Sequence, residues 1–272
     1  MKTLPDCEHL LLNEQNGVLA ITLNRPEVRN AMNLALVNQL MTVFTAIEQV
    51  PAIKVVVLRG ANGNFCAGGD LKDMANARKA VNAGKDDVKD PFYQLNRAFG
   101  QMISQINAAP QVVITLLEGI VLGGGFGLAC ISDIAIADSQ TQFGLPETRL
   151  GLPPAQIAPF VVERIGLTQA RRIMLTGARF DGVEAKNFGV VHFVSNSNEE
   201  MSQLLAQQLA QIQLCAPNAN RTTKRIMLSV GKIANKTLLD NAAQDFSMAI
   251  QSAEGIEGTN AFIEKRPANW VR

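Results

Sequence analysis

Several protein classes are excluded by what this chain of 272 residues has little of. Histidine occurs twice, at His9 and His192, so no HExxH zinc motif exists, and no GxSxG nucleophile elbow occurs anywhere. Both histidines read as structural or surface residues. The four cysteines, Cys7, Cys66, Cys130 and Cys215, stand far apart without paired spacing. That argues against a disulfide framework or a metal site and fits reduced thiols in a cytoplasm. No apolar run approaches the ~18 residues of a membrane span, and Met1 to Asp6 lacks a signal-peptide core. A cytoplasmic chain with no membrane partner is expected. An excess of one charge is also missing: Lys and Arg number 25 against 24 Asp and Glu. No global field exists to recruit nucleic acid, and none is expected as a partner. The phosphate-binding GxxxxGK[ST] loop is absent, and Gly123-Gly124-Gly125-Phe126-Gly127 lacks the third glycine at dinucleotide-binding spacing, because Leu128 and Cys130 stand there.

Apolar residues make up 47% of the chain and charged ones 18%, enough to bury one sizeable core with an appendage. Val18 to Leu23 reads as a strand closed by Asn24-Arg25-Pro26. Asn33 then caps a helix whose Leu36, Val37, Leu40, Met41, Phe44 and Ile47 form one apolar stripe. Val55 to Leu58 reads as a strand buried on both faces. Asn76 to Pro91 loses all periodicity and is expected to be a mobile loop. Phe92 to Ile106 restores helical spacing, and Val112 to Leu117 and Ile134 to Ala137 give further strands. The alternation predicts an α/β core of stacked ββα or βαβ units. Beyond about Glu199 strands cease. Helices are predicted over 201–215, 220–232 and 237–250, so residues 1–198 are read as the core and 199–272 as a helical region.

Two glycine-rich stretches stand out from this frame. Phe65-Cys66-Ala67-Gly68-Gly69-Asp70 closes one strand, and Val121-Leu122-Gly123-Gly124-Gly125 leads from one apolar run into another. Without Cβ atoms the backbone amides can approach a ligand closely. If a helix begins near Gly125, its first-turn N–H groups are unpaired at the positive end of the dipole, suited to a developing oxyanion. Small residues required for tight packing would read the same way. With triads and zinc motifs excluded, the remaining chemistry is backbone N–H groups and carboxylates.

Together with Gly144-Leu145-Pro146-Glu147, Asn30-Ala31-Met32, Leu175-Thr176-Gly177 and Phe188-Gly189-Val190-Val191, these stretches resemble the enoyl-CoA hydratase/isomerase (crotonase) superfamily nearly end to end. The resemblance implies a crotonase (ClpP-like) spiral of ββα units with a C-terminal helical trimerisation region, assembled as a homotrimer or a dimer of trimers. It also implies an acyl-CoA thioester substrate, so coenzyme A arrives as part of the substrate and no separate cofactor is expected. Carried over residue by residue, the amides of Ala67 and Gly124 correspond to the oxyanion hole, and Glu147 to a catalytic acid/base. Arg29, Gly68, Gly69, Asp70 and Leu71 fall among the substrate-binding positions. Asp70 and Asp133 read as loop and cap anchors, and Cys66 as small packing volume.

One departure matters more than the match. Hydratases with two glutamates carry the first in the helix after the glycine run, where this chain has Gly127. Glu147 is the remaining acid, and the space at Gly127 is expected to serve a branched substrate. A second departure, Gly151 to Phe160, is richer in proline than the common pattern. With Ala253-Glu254-Gly255, it resembles the subfamily of isohexenylglutaconyl-CoA hydratases of acyclic terpene degradation. That implies hydration of a branched, carboxylate-bearing enoyl-CoA. Methylglutaconyl-CoA or general enoyl-CoA hydration, enoyl-CoA isomerisation, and non-catalytic acyl-CoA or RNA binding remain the alternatives.

Overall fold

A computed structural model describes residues 4–70, 72, 75 and 90–271. The expected mobile loop lies outside the described residues except for Asp90 and Pro91, and so does Leu71. Among the described residues nine strands form two sheets. They are β1 (Leu10–Gln15), β2 (Val18–Leu23), β3 (Val55–Gly60), β4 (Val112–Leu117), β5 (Ile120–Leu122), β6 (Ile134–Asp138), β7 (Gln142–Gly144), β8 (Arg179–Phe180) and β9 (Phe193–Ser195).

The larger sheet has the order β1-β2-β3-β4-β6-β9 and is parallel from β2 onward. Its first pair is an antiparallel hairpin turning through Asn16 (φ 53°) and Gly17 (φ 79°), the left-handed conformations a two-residue turn demands. The smaller sheet has the order β5-β7-β8. The chain thus passes from the large sheet to the small one and back, as the spiral of repeated units requires.

Helices fill the connections: α1 (Leu34–Ile47), α2 (Pro91–Asn107), α3 (Gly124–Ile131), α4 (Ala158–Thr176) and α5 (Gly182–Asn187). The Asn33 side chain accepts the Leu36 N–H at 2.9 Å, the cap its sequence position predicts. Gly166 (φ 72°, ψ 159°) breaks the course of α4. Val56 and Leu58 face the main core with Leu36, Leu40 and Phe44 of α1. Val55 and Val57 point the other way, onto Ile114, Leu116, Ile136 and Met201. That two-sided burial is what the unbroken β-branched run indicates.

After β9 the described chain is helical: α6 (Asn198–Gln213), α7 (Pro217–Ser229), α8 (Asn235–Gln251) and α9 (Ala253–Ile263). The first three begin two to three residues before the positions expected from apolar spacing: the Ser197 side chain caps the first, Pro217 opens the second, and the third starts at the polar Asn235 without a side-chain cap. The fourth, α9, was not expected. Two glycines obscure its helical pattern for a packing reason: a Cβ on Gly255 would collide with the Ala249 carbonyl, and one on Gly258 would lie 2.9 Å from the Trp270 ring.

The helical region is pinned to the sheet by a buried lysine. Lys224 Nζ donates to Asp133 Oδ2 at 2.7 Å and to the Gln111 carbonyl at 3.1 Å, while Asp133 Oδ2 also accepts the Val113 N–H. Asp133 is therefore an anchor. Among the described residues no helix is long and apolar enough to cross a membrane.

Candidate active site

The segment after β3 runs between two partners. At its start Cys66 bridges Val121, donating its N–H to Ile120 and accepting from Leu122. At its end the Met32 N–H donates to the Gly68 carbonyl, and the Asp70 N–H to the Met32 carbonyl. In an extended chain this leaves the Gly69 N–H on the side away from Met32. Gly69 and Gly124 both line one cavity of about 460 Å³. The Gly69 amide has no acceptor among the described residues. By contrast, the Ala67 N–H donates to the Arg29 carbonyl at 3.0 Å and is already engaged.

On the opposite wall, Gly123 (φ 49°) turns the chain into α3. The Gly123 N–H donates to the Gly144 carbonyl, and the first helical ladder bond is Gly127 N–H to Gly123 C=O. The N–H groups of Gly124 to Phe126 are therefore the unpaired first turn. A Cβ on Gly124 would lie 2.6 Å from Met32 Cε and 3.0 Å from the Phe99 ring, so only glycine lets these groups close around its amide. The helix starts one residue before the sequence expectation and places this amide at its positive end.

Glu147 lies in the short 3-10 helix Pro146–Leu150 that follows β7. Its carboxylate approaches the glycine turn so closely that a Cβ on Gly123 would lie 2.8 Å from Oε1. Oε2 is buried with no hydrogen-bond partner among the described residues. Burial pushes the Glu147 pKa above the ordinary carboxylate range, and a hydrogen bond to its own backbone opposes that only in part. A desolvated carboxyl with a free oxygen, next to two unspent amides, is equipped to move a proton beside a developing negative charge.

The space at Gly127 is not left to a substrate, contrary to expectation. A Cβ there would collide with Ile157 Cγ2 and lie 2.9 Å from Ile103 Cδ1. Ile157 comes from the proline-rich stretch Leu152 to Ile157, which folds over the cavity and lines it. The aliphatic packing fills the place of the missing acid. Apolar walls from Val37, Phe92, Leu95, Phe99, Leu152 and Pro153 complete the cavity.

The remaining substrate-binding expectations fall at the rim. Asp70 lines the cavity, and its carboxylate is held by Arg25 Nη1 and Nη2, both at 3.0 Å. Arg29 is exposed in a left-handed conformation (φ 50°) and does not line the cavity; its carbonyl, not its guanidinium, makes the local contact. Gly68 (φ 98°) makes the bend that releases the Gly69 amide. Asn30, buried with φ 56°, ties the whole loop together by accepting from the Arg25 N–H and donating to the carbonyls of Ala61 and Asn64. Its sequence signal was the short polar residue beside Ala31-Met32. The thiols of Cys66 and Cys130 are pushed up to about 12 by burial, which keeps them protonated. His192 accepts the Ala135 N–H on Nδ1 and has its pKa lowered by burial and by Arg164, so it is a neutral structural residue.

Comparison with known proteins supplies the context of this site. The family model described as enoyl-CoA hydratase/isomerase matches residues 13–272. The chain is 30% identical over 264 residues to 2,3-dehydroadipyl-CoA hydratase of Escherichia coli, spanning 96% of this chain and 98% of that one. Among solved structures, AtuE of Pseudomonas aeruginosa superposes with a TM-score of 0.93 at 53% identity, covering 97% of this chain and 100% of that chain. An enoyl-CoA hydratase/isomerase from Marinobacter aquaeolei superposes equally well, with a TM-score of 0.93 at 54% identity, covering 98% and 100%.

Proposed function

Because the chain belongs to the enoyl-CoA hydratase/isomerase family, we propose that it adds water across the conjugated double bond of an enoyl-CoA thioester, with isohexenylglutaconyl-CoA as substrate. The observation that carries this reading is the pairing of Glu147, desolvated with a free Oε2, with the unspent amides of Gly69 and Gly124 around one cavity.

In this mechanism the thioester oxygen lies between the two amides, which stabilise the enolate as negative charge develops. Gly69 replaces Ala67 in that role, since the Ala67 N–H is bonded to Arg29. Ionised Glu147 accepts a proton from water as the oxygen attacks Cβ. It then returns a proton to Cα, closing the cycle with one carboxyl group. Its raised pKa makes it a stronger base than an ordinary glutamate and still able to give the proton back.

The substrate assignment draws on the resemblance of residues 151–160 and on the bulk that Leu152 to Ile157 brings over an otherwise apolar cavity. The activity belongs to an assembly of three or six copies, in keeping with the exposed apolar side chains of α7 to α9. The test is the absorbance of the conjugated enoyl thioester. Loss of absorbance with a conjugated substrate is hydration. A gain from a non-conjugated substrate, with no loss from the conjugated one, replaces this reading with isomerisation. Binding without either change replaces it with a binding module.

A further inference from the structure

A carboxylate-bearing acyl chain needs a partner beyond the thioester, and the catalytic groups do not provide one. The cavity wall contributed by α2 does. Asn96 and Gln156 both line the cavity, and Arg97 stands beside them. Arg97 Nη1 donates to Gln156 Oε1 at 3.0 Å, and Gln156 Nε2 donates to Asn96 Oδ1 at 2.8 Å.

The direction of this relay follows from chemistry. A guanidinium only donates, so it fixes the oxygen of the Gln156 amide toward itself and the NH₂ toward Asn96. That in turn fixes the Asn96 oxygen toward Gln156. The Asn96 NH₂ is left over as a donor, with no acceptor among the described residues. Gly100 makes the arrangement feasible: a Cβ there would collide with Gln156 Oε1 and lie 2.6 Å from Arg97 Nη1. The cluster is built into the helix surface.

Its distance from the chemistry is short. Phe99 packs against Gly124, and Asn96 lies one helical turn away from Phe99, about 5 Å along the axis. An extended chain of four or five carbons from the thioester spans that gap. Among the described residues that line the cavity, the charged ones are all acidic, so an anionic acyl end calls for a local cation. Asp70 is paired with Arg25, Asp90 accepts the Phe92 N–H at the start of α2, and Glu147 serves the reacting carbons.

Resting on the acyl-CoA reading above, we propose that Asn96 receives the distal carboxylate of a dicarboxylic monothioester, with Arg97 and Gln156 as positioning residues that orient its amide and supply positive charge. Selectivity for such acyl chains then comes from α2 and the Pro153 to Ile157 stretch.

The test uses saturated thioesters, so it does not depend on hydration. Binding of glutaryl-CoA and of hexanoyl-CoA, similar in length but with and without the carboxylate, is measured by calorimetry. The wild-type protein is expected to prefer glutaryl-CoA by about 10- to 100-fold, the range of a hydrogen-bonded charge. Asn96→Leu and Arg97→Met should bring the ratio within about threefold of unity while hexanoyl-CoA affinity stays. Asn96→Asp, at an exposed position, should reverse the preference. Equal affinities in the wild type, or a preference retained in these variants, would overturn the proposal. If hydration fails but the preference holds, the site stands and the reaction assignment is the part that is wrong.

Discussion

Ile157 lies over Gly127 so closely that any side chain at 127 would collide with its Cγ2, and Ile103 closes the same space from α2. A glycine after the triple-glycine turn and an isoleucine thirty residues later are thus one feature. The second carboxylate of a two-acid site has no room here, and Glu147 shares its cavity with an aliphatic wall.

The Gly127 relationship predicts the behaviour of a double variant. Gly127→Glu alone forces bulk and charge into filled apolar space. It should lower the melting temperature by several degrees, from an overpacking cost of about 1–3 kcal/mol or more. Adding Ile157→Gly should recover much of that loss and favour short linear enoyl-CoA over branched substrates. Calorimetric scanning of the two variants checks this, and an unchanged melting temperature in Gly127→Glu would show that the space is open.

The raised pKa of Glu147 has two consequences, one for catalysis and one for stability. As a base it must be ionised, so the acid limb of the kcat profile should fall above the ~4.3 of an unperturbed glutamate. For stability, a raised folded value means the contribution of this group is fully present below the unfolded pKa and is lost as pH rises through the folded one. Glu147→Gln, which cannot ionise, should therefore melt higher than wild type at neutral pH, with the gap closing as pH falls through the raised folded value and gone once it is below about 4.

The Gly124 amide is held by contacts that leave no room for a methyl group. Gly124→Ala must displace Met32 Cε and the Phe99 ring, tilting the amide away from the thioester oxygen. A loss on the order of 10–10² in kcat is expected, below the 10²–10³ for removing such a donor outright. Met32→Ala in the same chain should restore part of it, which steady-state kinetics with retained assembly would reveal.

Much of the frame was legible because its signals are local. The Val55 to Leu58 run, the Asn33 cap and the Gly124 turn each depend on neighbours in sequence. What sequence reasoning missed is contact across the chain. Nothing in Ala67 reveals that its N–H is spent on Arg29, or that the alternation of the strand frees Gly69 instead. Likewise Ile157 reads as one apolar residue in a proline-rich stretch until the fold brings it onto Gly127. The helix α9 escaped because the glycines that let it pack closely also hide its apolar stripe.

Assembly is testable from the C-terminal face. Phe246, Phe262 and Ile263 are 69%, 86% and 76% exposed, more apolar surface than an isolated chain usually leaves open. Leu238, in the same helix as Phe246, is instead buried within the chain. Sedimentation at micromolar concentration should give three or six times the 29.4 kDa chain mass, and Phe262→Asp should weaken it. A monomer would remove the assembly proposal.

In the proposed reaction one carboxyl group, Glu147, moves both protons while backbone amides hold the thioester oxygen. The most direct measurement follows conjugated enoyl-thioester absorbance in Glu147→Gln alongside binding of a product-like 3-hydroxyacyl-CoA. Turnover should fall by about 10²–10⁴ with nearly unchanged binding, because the Gly69 and Gly124 amides remain in place. Normal turnover in Glu147→Gln, with turnover abolished by substitution of another carboxylate at the cavity such as Asp70 or Asp90, would contradict it.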